Sequence, residues 1–525
     1  MANTLKFGAG QWATKEGSTL AYNDENDNYK PLPFDFTRAS SATVVNKAGL
    51  IETVGNAIPR IDFLGNTQGA LKLEPQRTNL ITQSEAFGSS YWTKSGATIQ
   101  ADPSTAGSEL VTNGNFATDS DWNKESGWTI SGGKLLGASV TTGLAFQYSI
   151  LEANKWYKAS YDAEVTNVSV GLFFDGIGYQ GLTTTTQTIT VLFYATISSP
   201  LYFRSNTSNF TGSIDNVSVK EVQGFTSPDG TNNAYKLVED TNNGNHQIYS
   251  GFFSGSSGNN YTTSFFVKAA ERTWCKILNY GGTQVFFDLG NGVVGTETNA
   301  SGKIEALSND WYKISMTYVS QSSERAYLYI AESNNTNSYQ GNGTSGIYVF
   351  GGQAEFGSYA TSYIPTSGSA VTRLADVCNN GGNEQVINST EGVLYAECSL
   401  LSPSTGSTII SLSDGGSNRL YFDFFTSNRL YAIIENGSST FSTVQTITQT
   451  NNNKLAFKYS ASGCKLYING TGYSFSGLNF TSGTLDTLNF ASSSGTTAKF
   501  YGNIKDVKVY NTALSDSELA ALTTI

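Results

Sequence analysis

The fold class is decided by stretches such as Thr263-Ser-Phe-Phe-Val-Lys-Ala269, in which strand-forming residues run between polar turns. Leu420-Tyr-Phe-Asp-Phe-Phe425 and Lys465-Leu-Tyr-Ile-Asn-Gly470 repeat this pattern farther along the chain. Aromatic and β-branched residues favour strands, and turn signals about 8–12 residues apart are typical of β-sandwiches. The pattern continues from residue 79 to the end. We therefore expect an all-β protein made of several antiparallel jelly-roll or β-sandwich domains.

The composition indicates several domains and excludes one class of partner. The chain has 525 residues, of which 13% are aromatic and 14% charged. At about 100–200 residues per domain, this length predicts three or four domains. The formal net charge is −11, and the sequence contains no cluster of Lys and Arg residues. Binding to a phosphate backbone needs such a cluster, so nucleic acid is not expected as a partner.

The chain shows no targeting pattern. The first residues, from Met1 to Trp12, contain no basic segment followed by an apolar run. No stretch of about 18 apolar residues occurs either. We expect neither a secretory signal peptide nor membrane insertion. Four cysteines without CxxC spacing are expected to be buried free thiols in a reducing cytosol: Cys275, Cys378, Cys398 and Cys464.

Residues 1–78 differ from the rest of the chain in their prolines. They contain Pro31, Pro33, Pro59 and Pro75, out of 9 prolines in all. Proline removes a hydrogen-bond donor from a strand and is confined to edges and bulges. We therefore expect an extended, loop-rich N-terminal leader that docks on another surface.

Two similar opening phrases lie close together and indicate an inserted domain. The first contains Phe87 and Trp92, and the second contains Phe116 and Trp122 at nearly the same spacing. They begin about 30 residues apart, which is too short for a sandwich. We therefore expect the second unit to be inserted in the first. The predicted domains are an inserted sandwich at 108–222 and a host sandwich formed by 79–107 plus 223–376.

Residues 377–525 are expected to form a last sandwich. Its closing phrase, Gly502-Asn-Ile-Lys-Asp-Val-Lys-Val509, is similar to Gly212-Ser-Ile-Asp-Asn-Val-Ser-Val219 in the inserted unit. Near the end, Ser515 is followed by Glu518, the spacing of a capping box. This predicts a short C-terminal helix.

Several phrases resemble modules of tailed-bacteriophage particles. Phe36-Thr-Arg-Ala-Ser-Ser-Ala-Thr43 and Gly69-Ala-Leu-Lys-Leu-Glu-Pro-Gln-Arg-Thr-Asn-Leu80 look like the leader of phage tail and fibre proteins. Leu110-Val-Thr-Asn-Gly-Asn-Phe116 looks like the start of a carbohydrate-binding-module-type jelly roll. The segment from Glu391 to Ser515 is similar to concanavalin A-like, laminin G-like sandwiches.

The resemblance implies a virion protein, a fibre or appendage of the tail or head. By the same resemblance, residues 1–78 attach it to other virion proteins, the assembly is a homotrimer, and the sandwiches meet host-surface polysaccharide. The protein would be made in the cytoplasm of the host bacterium. The sequence contains no coiled-coil heptads, so a trimer would have to form through the leader or the sandwich faces.

The residues of the chain predict no catalytic machinery. The single histidine, His246, lies in an Asn- and Gly-rich stretch and is expected on the surface. A glycosidase needs two carboxylates roughly 5 to 10 Å apart. Glu391 and Glu397 have no acid between them, and Asp423 stands alone in its predicted strand, so all three are expected to be solvated. We expect the protein not to be an enzyme.

Sugar-binding sandwiches use exposed aromatic rings that stack on the apolar face of a sugar. Tyr179, Tyr339 and Tyr473 are each close to glycines in predicted loops and are our candidates for carbohydrate binding. The tryptophans of the opening phrases are expected to pack in the cores instead: Trp92, Trp122 and Trp128.

Two loop carboxylates are candidate calcium ligands. Asp288 lies in Asp-Leu-Gly-Asn-Gly and Asp414 in Ser-Asp-Gly-Gly-Ser-Asn, where carboxylate and backbone oxygens could hold Ca²⁺. Neither loop has the carboxylate density of an EF-hand. No other cofactor is expected.

Three functions therefore remain open at the level of sequence. The first is a phage fibre or appendage whose sandwiches bind host-surface glycans. The second is a head fibre or connector with no specific ligand. The third is a polysaccharide depolymerase whose active site is assembled from distant loops.

Overall fold

The computed structural model describes residues 34–166, 185–205, 209–437, 439–478 and 480–525, together with the backbone of further strands within residues 3–31 and 171–181. Antiparallel strands dominate this part of the chain, and the predicted all-β sandwich class is confirmed. The helical elements described are one α-helix, Asp516–Thr523, and two 3-10 turns, Pro103–Thr105 and Ser308–Asp310.

The host sandwich has two sheets. The stretch predicted to decide the fold lies in the strand Asn260–Ala269, which is buried on both of its faces. Phe265 and Val267 point into the core between the sheets, whereas Phe266 packs outside with Trp311 and Phe350. Continuous burial explains why this strand reads as an apolar run rather than as an alternation.

The strands of the host sandwich follow in spatial order. One sheet contains Thr93–Ser95, Asn243–Tyr249, Ala326–Ala331, Trp274–Asn279, Gln284–Asp288 and Val293–Thr298, with Ser338–Gln340 paired to Asn243–Tyr249. The other contains Ala97–Gln100, Tyr235–Glu239, Gly346–Phe356, Asn260–Ala269, Trp311–Val319 and Ala300–Ala306. Two short pairs adjoin them, Arg77–Asn79 with Val371–Arg373 and Phe253–Ser254 with Ser323–Glu324.

Strands from both sides of residues 108–222 pair with each other. Ala97–Gln100 pairs with Tyr235–Glu239, and Thr93–Ser95 pairs with Asn243–Tyr249. The chain thus leaves the host sandwich after residue 100 and returns before residue 235. The outgoing and returning segments contact each other, since the Asp102 amide donates to the Gln223 carbonyl over 3.0 Å.

The intervening residues form two five-stranded sheets of their own. One contains Asn123–Lys124, Ala145–Leu151, Ser199–Ser205, Gly171–Phe174 and Gly178–Gly181. The other contains Trp128–Ser131, Lys134–Val140, Phe210–Val222, Lys155–Val165 and Gln187–Ala195. Among the described strands, none from outside residues 108–222 joins either sheet.

The inserted sandwich packs against the host through aromatic rings. The Trp156 ring lies 5.5 Å from Tyr194 and 5.8 Å from Tyr235 of the host. Gly88 of the host faces the Tyr194 ring so closely that an added Cβ would lie 2.7 Å from it. A side chain at position 88 would therefore push the two sandwiches apart.

The C-terminal sandwich contains the remaining long strands. One sheet contains Thr471–Phe475, Cys464–Ile468, Asn453–Ser460, Glu391–Leu400, Gly502–Tyr510, Ala70–Leu73 and Arg60–Asp62, with Asn3–Gly8 also paired to Gly502–Tyr510. The other contains Ser439–Thr446, Arg429–Asn436, Arg419–Phe425, Thr408–Ser413 and Thr487–Asn489.

Strands of the leader dock on the C-terminal sandwich. The strands Arg60–Asp62 and Ala70–Leu73 extend the sheet of the C-terminal sandwich, and Leu71 and Leu73 lie in that core. The physical reason is that Gly502–Tyr510 has an open edge that these strands pair with. Short strands complete the leader: Ala13–Lys15, Ser18–Asn23, Asn28–Pro31, Asp35–Thr37 (paired with Val377–Asn379), Ala42–Val45 and Ile51–Val54.

Other predictions from the sequence are confirmed in the cores. Trp92, Trp122 and Trp128 are buried. All four cysteines are buried and unbridged. The predicted helix begins at a capping box formed by Ser515 and Glu518. No described helix has the length and apolar character that crossing a bilayer requires.

Candidate functional site

The outer face of one host sheet is rich in aromatic side chains. Side chains alternate along strands, so Ile248, Ile277 and Leu328 point to the core of the sandwich. Tyr249, Lys276, Tyr327 and Tyr329 therefore point to the opposite face. We call the outward set the aromatic face: Tyr249, Phe252, Lys276, Tyr280, Arg325, Tyr327 and Tyr329.

Strand pairing brings the rings of the aromatic face together. Tyr249 is paired with Tyr327 in the register of the two strands, and their ring centroids are 4.9 Å apart. Phe252 and Tyr280 follow at one end, with centroids 5.1 Å apart in an edge-on arrangement. Phe252 is 50% exposed and Tyr280 55% exposed. Large rings this open are unusual on a sandwich surface and are suited to stacking on a ligand.

Two cations hold these rings in place. The Arg325 guanidinium lies 3.6 Å from the Phe252 centroid and 5.0 Å from the Tyr249 centroid. The Lys276 ammonium lies 4.1 Å from the Tyr329 centroid. It also donates to Gln284 Oε1 over 3.1 Å and to Asn337 Oδ1 over 3.0 Å. Burial lowers the pKa of Lys276 to about 8.

Polar atoms on this face lack partners within the described part of the chain. Gln247 Oε1 and Arg325 Nε are buried and make no hydrogen bond. Gln247 lies two residues before Tyr249 and thus points to the same face. Buried polar atoms without a partner are unfavourable, so this part of the face is incompletely satisfied.

The corresponding sheet of the inserted sandwich has a similar outer face. Phe146 is opposite Tyr202 in the strand register, and the centroids of Phe146 and Tyr148 are 4.9 Å apart. The Arg204 guanidinium lies 5.9 Å from the Tyr202 centroid. Tyr148 is 66% exposed. Both sandwiches thus present arginine and aromatic rings on one outer sheet face.

Tyr339 is buried, so its prediction as an exposed loop residue is wrong. It is 6% exposed, and its hydroxyl donates to Glu239 Oε2 over 2.8 Å. The strand Ser338–Gln340 pairs with Asn243–Tyr249, which holds the ring under Arg272 at 4.8 Å. The ring supports the host sandwich and cannot stack on a sugar.

The surface prediction for His246 is wrong for the same reason. This histidine lies within the strand Asn243–Tyr249, not in a turn, and is fully buried. Its Nδ1 is 2.6 Å from the Gly96 carbonyl oxygen, and its Nε2 is 3.2 Å from the Tyr339 carbonyl oxygen. Both ring nitrogens have backbone partners, one in the strand Ser338–Gln340 and one in the connection between Thr93–Ser95 and Ala97–Gln100.

The other two candidate tyrosines have different outcomes. Tyr473 lies in the edge strand Thr471–Phe475 and is half-buried against the C-terminal core. The side chain of Tyr179 lies outside the described residues. The backbone of Tyr179 is opposite that of Phe173 at the edge of the inserted sheet that bears Tyr202. The three predicted tyrosines do not come together in one site.

Asp288 and Asp414 cap turns. Asp288 Oδ1 accepts from the Gly290 amide over 2.9 Å, and its Oδ2 accepts from Asn291 Nδ2 over 2.8 Å. Asp414 likewise accepts from the Gly416 amide over 2.7 Å and from Asn418 Nδ2 over 2.7 Å. Among the described residues, no three His, Cys, Asp or Glu side chains form a group that could hold a metal ion.

The predicted solitary carboxylates also remain apart. Glu397 accepts from Asn452 Nδ2 over 2.7 Å. Asp423 is buried rather than solvated, accepts from Ser407 Oγ over 3.1 Å, and has its pKa raised by burial.

Sequence reasoning missed the aromatic face. The signal was present in Arg325-Ala-Tyr-Leu-Tyr329, where a cation and two tyrosines alternate with apolar residues. Such alternation puts one cation and two rings on a single sheet face. A neighbouring glycine does not by itself indicate an exposed tyrosine ring, as the buried Tyr339 shows.

One comparison with known proteins concerns the C-terminal sandwich. Residues 398–520 match the family described as the concanavalin A-like lectin/glucanases superfamily. The C-terminal sandwich is therefore lectin-like, while the aromatic face lies outside the matched segment. Comparison with curated proteins finds no match.

The solved structures that the chain matches include carbohydrate-binding modules. The CBM40 of the Ruminococcus gnavus IT-sialidase is 18% identical over 28% of this chain and 93% of that chain, with a TM-score of 0.24. The CBM22-1-CBM22-2 tandem domain of Paenibacillus barcinonensis Xyn10C is 14% identical over 51% of this chain and 100% of that chain, with a TM-score of 0.23. Domains LG4-5 of the mouse laminin alpha1 chain are 7% identical over 53% of this chain and 92% of that chain, with a TM-score of 0.19.

Proposed function

We propose that this protein binds glycans through the aromatic face of its host sandwich. The observation that carries the proposal is the open row of rings at Tyr249, Phe252, Tyr280 and Tyr327, steadied by Arg325. Stacking on the apolar side of a pyranose removes these rings from water. The similar face of the inserted sandwich supports a second contact with the same polymer.

The test replaces two rings that form no part of the core. Tyr249→Ala with Tyr327→Ala should weaken binding to immobilised bacterial polysaccharides about tenfold or more, because stacking contributes about 0.5–1.5 kcal/mol per ring. Phe441→Ala, at an exposed ring of the C-terminal sandwich, is the matched control and should bind like the wild type. If the double variant binds as tightly as the wild type, the aromatic face is not the glycan-binding site.

We also propose that the protein binds its glycan without cleaving it. The support is that Glu397 and Asp423 lie in strands of different sheets, and that each accepts a hydrogen bond from a neighbouring side chain. Incubation with a bound polysaccharide should release no new reducing ends. Turnover would establish the depolymerase alternative.

The biological setting we propose is a tailed-phage particle, on which the protein serves as a fibre or appendage of the tail or head. The resemblance of Phe36-Thr-Arg-Ala-Ser-Ser-Ala-Thr43 and Gly69–Leu80 to phage leaders supports this setting. Antibodies raised against the C-terminal sandwich should label purified particles at discrete positions. Particles that contain no such chain would contradict it.

We propose a homotrimer, attached to other virion proteins through residues 1–78, on the same resemblance. Sedimentation of the purified full chain should give the mass of three copies. A monomer at all concentrations would contradict this assembly.

A further inference from the structure

A cleft of about 510 Å³ lies where the leader, the host sandwich and the C-terminal sandwich meet. Its walls include Thr43 of the leader, Ser315 and Tyr359 of the host, and Ser402 of the C-terminal sandwich. The volume is in the range of small-molecule sites, about 300–1,000 Å³. The cleft is separate from the aromatic face, which lies on the opposite sheet of the host.

The carboxylates that line this cleft are already neutralised. Asp62 forms an ion pair with Lys72. Glu74 Oε2 lies 2.6 Å from Arg60 Nη1 and 2.8 Å from Arg373 Nη1. Burial alone would raise the pKa of Glu74, but these guanidinium groups hold it well below its usual range.

Glu305, the third lining carboxylate, is paired in the same way. Its Oε1 lies 2.7 Å from the ammonium of Lys303, which reaches the solvent. Each carboxylate of the cleft thus has its own cation within ion-pair distance.

Lys313 is the cation that remains. It lies in the strand Trp311–Val319, lines the cleft and is only 6% exposed. Its ammonium donates to the Thr361 carbonyl. Within the described part of the chain, no carboxylate lies within 4.0 Å of it. Burial lowers the pKa of Lys313 because the charged form is poorly solvated there.

A buried ammonium with one carbonyl partner has donors to spare, and leaving them unused is unfavourable. The rest of the wall combines aliphatic side chains, such as Leu64 and Leu307, with hydroxyl groups that include those of Ser315, Thr317 and Tyr359. Hydroxyls and one ring suit a polyhydroxylated ligand, and the free ammonium suits a carboxylate on it.

We propose that this interdomain cleft is a second binding site, specific for a carboxylate-bearing sugar residue whose acid group is bound by Lys313. The site acts independently of the aromatic face. An acidic polysaccharide would be bound by its charge in the cleft and by stacking on the aromatic face.

Calorimetric titration of the full chain with glucuronate, glucose and acetate tests this site. Glucuronate should bind, glucose and acetate should bind at least tenfold more weakly, and Lys313→Met should abolish glucuronate binding. Lys268→Met, at a lysine of the same sandwich outside the cleft, is the matched control and should bind glucuronate like the wild type. Tyr249→Ala with Tyr327→Ala should also leave it unchanged, which separates this proposal from that for the aromatic face.

Thermal unfolding shows whether Lys313→Met still folds. Because the substitution removes a buried charge without a carboxylate partner, its melting temperature should equal or exceed that of the wild type. Absence of glucuronate binding to the wild type, or undiminished binding to a folded Lys313→Met, would overturn the proposal. Acetate binding as tight as that of glucuronate would overturn the sugar specificity.

Discussion

Asp376 shows how strongly one buried charge can depend on its neighbours. Its Oδ1 accepts from Arg38 Nη1 over 3.0 Å, and its Oδ2 accepts from the Glu74 amide over 2.8 Å and from Arg60. All of these groups are buried. The network joins the leader to the segment between two sandwiches, so its loss would act on both.

Asp376→Asn should lower the free energy of unfolding by about 3–5 kcal/mol, because it leaves the buried Arg38 without its carboxylate partner and removes one of the two carboxylate partners of Arg60. Denaturant unfolding followed by fluorescence measures this change. Asp310→Asn, at a highly exposed carboxylate, should change the value by no more than about 0.5 kcal/mol. Equal values for both variants would show that the buried network contributes nothing.

Lys276 gives the stability of the protein a pH dependence. Its pKa is about 8 in the folded protein, below its ordinary value of 10.5, because it is buried. Between these values the unfolded chain binds more protons than the folded chain, so stability should rise with pH across this window. Below pH 8 both states are protonated and the contribution is flat.

The measurement is denaturant unfolding at steps from pH 7 to just below pH 10, where exposed tyrosines begin to ionise. The free energy of unfolding should rise less with pH in Lys276→Met than in the wild type. Lys94, whose pKa burial also lowers to about 8, adds to the rise in both proteins. An identical slope in both proteins would contradict the assignment to Lys276.

At the scale of strands, alternation and aromatic content were enough to predict which segments form sheets. Trp92 and Trp122 were placed correctly in cores because they recur in equivalent opening phrases. His246 and Tyr339 were misplaced because their glycine- and asparagine-rich surroundings resemble turns. Pairing between Ser338–Gln340 and Asn243–Tyr249 buries both, and sequence does not show which distant strands pair.

The strand Ala70–Leu73 is the clearest case of an element whose partner was not predictable. It pairs with Gly502–Tyr510, more than four hundred residues away. Leu71→Ala should therefore destabilise the C-terminal sandwich by about 2–5 kcal/mol, as for other fully buried leucines. Val444→Ala, at an exposed position of the same sandwich, should cost far less. A negligible effect of Leu71→Ala on unfolding would show that the strand is not part of this core.

At the scale of the molecule, the chain crosses between the host and inserted sandwiches at two adjacent points. The Gly107 amide donates to the Glu221 carbonyl over 2.9 Å beside the Asp102–Gln223 contact. Replacing residues 108–222 by a short glycine–serine linker should therefore leave a folded host sandwich, with some stability lost because Tyr235 would no longer pack on Trp156.

Circular dichroism and cooperative thermal unfolding of the shortened chain test this expectation. The control is the fragment 108–222 expressed alone, which should also unfold cooperatively. A shortened chain without cooperative unfolding would mean that the two sandwiches share one core.

Gly88 affects how the protein would bind a long polysaccharide, because it lies at the junction between the host and inserted sandwiches. The Tyr194 ring packs against Gly88, and the chain crosses between the two sandwiches twice at the same junction. Rotation of the inserted sandwich relative to the host is therefore restricted. The aromatic face of the host sandwich and the similar face of the inserted sandwich would then be held at a fixed spacing. Oligosaccharides too short to contact both faces would bind with the affinity of one face alone. Longer ones would bind more tightly through avidity.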